Sequence, residues 1–186
     1  ERLMDMSQIM TLLISQGQRW VKEQRQAFRG RGRPLSPSAM AQFLPFFEDS
    51  LLREVRVAAV PALENPGFLE DYRDDLTEKA IPLLDFSAMA AITFMDTILV
   101  VESFLSEPPG GLIFHELVHA VQYEILGPDK YVELYILGWV NQGFNYAAIP
   151  LEMDAYELQN RYEADPADPF SVSAEVSRSL DLMLED

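Results

Sequence analysis

The stretch "LIFHELVH", residues 112–119, contains both histidines of the 186-residue chain. Apolar residues surround it and Gly127-Pro128 follows it, which predicts a buried helix over residues 112–126. Residues four apart lie one turn apart on nearly the same helix face, so His115 and His119 can point two imidazoles at one ion. Glu116 lies about 100° around the helix from His115 and can reach a water beside that ion. The stretch therefore predicts a metal site.

The alternative interpretation is a pair of structural histidines whose nitrogens are satisfied by backbone carbonyls. Burying two imidazoles and a carboxylate without partners would cost free energy, and a metal ion removes that cost, which favours the metal site. The chain contains no cysteine, so every protein ligand must be His, Asp or Glu. A catalytic zinc site uses three protein ligands and leaves one position for water. Because no third histidine exists, the third ligand must be a carboxylate.

A second predicted helix begins at Pro150 and carries "PLEMDAYE", residues 150–157. The pairing of the two helices resembles the gluzincin metallopeptidases, in which an HExxH helix is followed by a helix that supplies a glutamate. It is also similar to small uncharacterised bacterial proteins of gluzincin type. The resemblance implies a zinc ion held by His115, His119 and Glu152, which lies 33 residues after His119.

The same resemblance implies hydrolysis of a peptide or protein substrate, with Glu116 as the general base for a metal-activated water. An oxyanion donor would come from elsewhere, and we assign it to Tyr146, although other tyrosines near the motif remain candidates. Tyr156, four residues after Glu152, is expected to hydrogen-bond a ligand from behind. Asp154 is a second candidate for this outer position and an alternative third ligand.

Two other functions stay open at the level of sequence. One is a regulatory or sensor protein that keeps the metal site but has little or no general proteolytic activity. The other is a helical interaction domain without catalysis. The small size of the chain and the lack of a third histidine as oxyanion donor keep the regulatory protein as an alternative to the peptidase.

The predicted fold class is α+β and predominantly helical, with a zincin-like core and a small sheet beside the HExxH helix. Two β-prone runs around a turn at Asp96-Thr97 predict a hairpin immediately before that helix. We expect one domain over residues 1–186. It comprises an N-terminal helical part at 1–53, a catalytic core at about 54–164 and a C-terminal helix at 165–186.

The net charge of −16 is unevenly distributed, since residues 1–33 carry seven basic and three acidic residues and therefore +4, which leaves −20 for residues 34–186. A mostly acidic body argues against general nucleic-acid binding. The basic "RGRP" at residues 31–34 resembles the core of minor-groove AT-hooks, but a charged turn is the preferred interpretation. No apolar run is long enough to span a membrane. We expect a soluble protein, cytoplasmic or exported after removal of an upstream segment, and nothing in the sequence specifies an oligomeric state.

Overall fold

The computed structural model describes residues 4–185 and confirms a mostly helical α+β architecture with a three-stranded mixed sheet against the HExxH helix. The first helix of the predicted N-terminal helical part begins at Met6, and residues 1–3 of that part lie outside the described residues. The helices and strands are α1 Met6–Arg29, α2 Pro37–Phe43, α3 Asp49–Glu54, β1 Arg56–Val60, α4 Phe68–Asp71, α5 Arg73–Glu78, β2 Ala91–Phe94, β3 Thr97–Val101, α6 Gly111–Leu126, α7 Pro128–Asn141, α8 Pro150–Ala164 and α9 Val172–Glu185.

The sheet has the strand order β1-β3-β2, with β1 parallel and β2 antiparallel to the central strand β3. The predicted hairpin is present, but its turn is one residue earlier than Asp96-Thr97. Phe94 pairs with Thr97, which leaves Met95 and Asp96 as the two turn residues. Met95 adopts φ 62°, the left-handed conformation that the first position of a two-residue hairpin turn requires.

Helix α6 is the centre of the fold. It packs against α8 and α9, against α7, and against β2 of the sheet. Its side chains from Ile113 to Tyr123 are all buried, whereas Glu124 and Ile125 face solvent. On the α8 side, Phe114 stacks on Tyr162 with ring centroids 4.4 Å apart and planes 8° apart. A helix surrounded in this way holds its polar side chains in defined directions.

The basic N-terminal segment has a structural role. Arg25 of α1 forms two hydrogen bonds of 2.8 Å with the Asp96 carboxylate, and Arg29 lies 3.0 Å from the same group. Arg33 of the "RGRP" turn pairs with Val57 through backbone hydrogen bonds in both directions and so extends the β1 edge of the sheet. These contacts connect α1 and its following turn to the sheet.

None of the helices within residues 4–185 combines the length and the apolar composition that crossing a lipid bilayer requires.

We expect Asp96→Asn to lower the free energy of unfolding by about 1–3 kcal/mol at pH 7, because it removes charge-assisted hydrogen bonds. Partial burial by itself raises the pKa of Asp96, but the hydrogen bond from Arg25 and the charges of both arginines hold it below its usual value. A carboxyl group with a depressed folded-state pKa stabilises the protein above its unfolded pKa and loses that contribution as the pH falls through the folded pKa. The deficit of the variant should therefore shrink between pH 7 and pH 3 in urea unfolding.

The exposed Asp74 provides the control, since Asp74→Asn should change stability little at either pH. An Asp96→Asn deficit of equal size at both pH values would contradict the electrostatic explanation.

Candidate metal centre

Helices α6 and α8 bring the three predicted metal ligands together. His115 and His119 are one turn apart on α6, and Glu152 lies in the first turn of α8. The three residues are 4%, 4% and 3% exposed. The two Nε2 atoms are 3.0 Å apart, and Glu152 Oε2 lies 3.1 Å from that of His115 and 3.3 Å from that of His119. The structure thus contains a buried His-His-Glu group able to hold a metal ion.

Two glutamines determine which nitrogen of each imidazole carries the proton. Gln122 Nε2 donates to the Leu151 carbonyl and to Asp154, so its Oε1 faces His119 Nδ1 at 2.8 Å. An amide oxygen only accepts, so Nδ1 of His119 is the protonated nitrogen.

The same arrangement recurs at the other histidine. Gln159 Nε2 donates to Glu163, and its Oε1 lies 3.1 Å from His115 Nδ1. Each histidine Nδ1 therefore donates to a glutamine oxygen, and the amide nitrogen of that glutamine donates to a carboxylate. Each histidine presents the lone pair of Nε2 to the centre. Partners of this kind fix the orientation of metal-binding histidines.

The centre consequently requires a cation. Two nitrogen lone pairs and a carboxylate oxygen within 3.0–3.3 Å of one another repel unless a positive charge lies between them. Without a metal, a proton meets this need: burial by itself lowers the pKa of His119, but Glu152 outweighs it and raises the pKa to about 9. Burial likewise favours protonated Glu152, yet the two histidines hold its pKa well below the usual value.

Glu152 Oε1 and one oxygen of Glu116 also have hydrogen-bond donors. Tyr135 donates to Glu152 Oε1 at 2.8 Å, which holds the carboxylate with Oε2 toward the histidines. Thr93 of β2 donates to Glu116 Oε2 at 2.6 Å. Burial raises the pKa of Glu116, although the histidines and Thr93 act in the opposite direction. Glu116 is thus a buried carboxylate oriented by the sheet.

The other three predicted site residues lie around this group in different ways. Tyr146 lines the same cavity as Glu116, His119 and Glu152, and burial together with Glu152 raises its pKa.

Tyr156 contacts the centre through its ring, which lies 4.4 Å from the His115 ring between centroids, while its side chain is 42% exposed. Asp154 accepts a hydrogen bond of 3.2 Å from Gln122, which itself accepts from His119. Asp154 therefore lies behind His119, with Gln122 between them. Glu152, not Asp154, joins the two histidines in that group.

Sequence reasoning missed Thr93, Gln122 and Gln159 and left Tyr135 unassigned. Two of them carried a signal, because Gln122 follows His119 by three residues and Gln159 follows Glu152 by seven, both of which are same-face spacings on a helix. Thr93 and Tyr135 lie on other secondary-structure elements than the glutamates to which they donate, so no spacing along one helix connects them. Their contacts depend on how β2 and α7 pack against α6 and α8.

A cavity of about 130 Å³ leads away from the metal group. Its walls are α1, α7, β2 and the segment 66–89, and its polar end is formed by Glu116, His119 and Glu152. The site therefore adjoins a space that a ligand can enter.

Comparison with protein-family models, with curated proteins and with solved structures gave no match for this chain.

We expect the protein to bind one divalent ion per chain, measured by zinc titration against a chromophoric chelator. His119→Ala and Glu152→Gln should each weaken the binding by more than about 100-fold, because a lost ligand costs more than a lost outer partner. Glu116→Gln should bind zinc as the wild type does. Failure of the wild type to bind, or equal binding by His119→Ala, would contradict this assignment.

We also expect Gln122→Met to weaken zinc binding by about 10–100-fold while one ion still binds, because the variant removes the partner that orients His119. The exposed Gln142 supplies a matched control, and Gln142→Met should leave the affinity unchanged. Unfolding curves of both variants report whether the fold is retained. Unaltered affinity in folded Gln122→Met would refute an orienting role for Gln122.

Proposed function

We propose that this protein is a zinc-dependent peptidase. The observation that carries the proposal is the spacing of the three donors, 3.0, 3.1 and 3.3 Å. Tetrahedral zinc ligands about 2.0–2.1 Å from the metal are about 3.3–3.4 Å apart, close to this spacing. Two imidazoles with one carboxylate are a donor set that suits zinc, and they leave a fourth position for water.

Glu116 is the proposed general base. When bound, zinc would supply a water of lowered pKa and polarise the carbonyl of the scissile bond. Glu116 would accept a proton from that water and deliver it to the leaving amine. Thr93 holds Oε2 of this carboxylate at 2.6 Å, which limits its rotation during both transfers. Tyr146, at the same cavity, is the proposed donor to the developing oxyanion.

The edge of the sheet supports a peptide as the substrate. Strand β2 pairs with β3 on one side and forms the edge of the sheet. Phe94 pairs with Thr97 at the turn, and Val101 donates to the Ala90 carbonyl, so the residues bonded to β3 are 90, 92 and 94. The backbone groups of Ala91 and Thr93 therefore point away from β3, and an extended peptide that enters the cavity they line would pair with them.

A regulatory or sensor protein with little general proteolysis is the second candidate. The burial of all three donors, which are at most 4% exposed, favours it, because a closed centre admits a long substrate less readily than an open one. Such a protein would use the same metal ligands. The two functions therefore differ in what reaches the site.

The decisive measurement is cleavage of casein and of a broad peptide library by the zinc-loaded protein, followed by mass spectrometry. Glu116→Gln should lower the rate by at least about 100-fold, the smaller end of the usual general-base contribution, with zinc still bound. Glu124→Gln, an exposed change on the same helix, should retain full activity. Zinc-loaded wild type that cleaves nothing would overturn the peptidase and favour the regulatory function.

A further inference from the structure

The cavity beside the metal group has an apolar interior. Its walls include Leu13 and Val21 from α1, Ile136 from α7, Phe94 from β2 and Leu76 from α5. None of these four elements carries one of the three metal ligands, although α7 and β2 supply Tyr135 and Thr93 to the two glutamates. The cavity therefore extends from the site into a part of the molecule that holds no ligand.

Charge is confined to that end. Among the described residues 4–185, and apart from tyrosines, the ionisable residues of the lining are Glu116, His119 and Glu152, with no lysine, arginine or aspartate. A charged group placed deeper in the cavity would leave water without gaining a partner of opposite charge, which costs free energy. An uncharged apolar group meets no such cost and removes its own surface from water.

The size of the cavity suits an apolar group of moderate size. An apolar protein cavity of about 150 Å³ binds benzene. The volume here is about 130 Å³, so a group of about the size of a phenyl ring or a branched aliphatic side chain can fill it.

We propose that the cavity binds one uncharged, bulky apolar side chain of the substrate, of the size of leucine or phenylalanine, next to the bond that is cut. The inference rests on the proposed function, since it places that bond at Glu116 and the metal ligands. An apolar residue in the cavity and a backbone paired with β2 would hold the peptide at two places. Peptides that offer only small or charged side chains would be held only by the backbone pairing with β2.

The first experiment tests the cavity without metal and without catalysis. Toluene is added to isotopically labelled metal-free protein, and chemical shifts are followed by NMR. We expect saturable shifts at Val21, Leu76 and Ile136, and their loss in Val21→Phe, which fills the cavity from α1. Absence of saturable shifts at these residues in the wild type would overturn the inference, whatever the outcome of zinc binding or cleavage.

The second experiment tests the link to the metal group. Hydroxamates of phenylalanine, leucine, alanine and lysine are titrated calorimetrically into the zinc-loaded Glu116→Gln variant, in which turnover is expected to be slower by at least about 100-fold. We expect the phenylalanine and leucine compounds to bind about 10–100-fold more tightly than the other two. Equal affinities for all four compounds would overturn the proposed specificity. If zinc does not bind, the proposed function fails while the toluene result still decides on the cavity.

Cavity variants separate recognition from general damage to the fold. Val21→Phe in the same background should reduce the affinity for the phenylalanine and leucine hydroxamates to that for the alanine compound, with the alanine affinity unchanged. Val21→Ala should keep the preference for the larger compounds. Val176→Ala, a matched change at a fully buried valine of α9 outside the cavity, should leave all four affinities unchanged. Loss of affinity for all compounds alike in Val21→Phe would contradict selective binding in the cavity.

Discussion

Two imidazole nitrogens and one carboxylate oxygen lie within 3.0–3.3 Å of one another where α6 meets α8, and their mutual repulsion makes a cation necessary. The surrounding residues maintain this arrangement. Gln122 and Gln159 hold the Nδ1 protons, so the Nε2 lone pairs must face the centre, and Tyr135 holds the carboxylate. The protein thus keeps three like partial charges together in its interior, which costs free energy unless a metal ion or a proton lies between them.

The position of α6 explains how one small fold places the His-His-Glu group beside the edge of the sheet. One side of the helix faces α8, which brings Glu152 to the histidines, and another side faces β2. Glu116 points to that strand and accepts the hydroxyl of Thr93. A peptide bound along the edge of β2 would therefore lie beside the carboxylate proposed to act as its base. The apolar cavity extends from the same place between α1 and α7.

Local features of the sequence were sufficient for the helices and for the ligands they carry. The four-residue spacing of His115 and His119, the glycine after Leu126 and the proline at the start of α8 all act within a few residues, where backbone geometry determines direction. The hairpin was predicted one residue out of register. The register of a hairpin depends on which turn residue adopts positive φ. Met95 adopts it here, although a methionine side chain gives no indication of this conformation in the sequence.

The sequence by itself determined that two histidines and a glutamate share a buried helix, and that any third ligand must be a carboxylate, because helical spacing and composition require no knowledge of packing. Tertiary structure decided the remainder. Only the crossing of α6 and α8 places Glu152, and not Asp154, at the histidines and gives Gln159 to His115. Only the packing of α1, α7 and β2 creates the apolar cavity. Contacts between elements depend on how whole faces fit together, and spacing along one chain segment does not encode that fit.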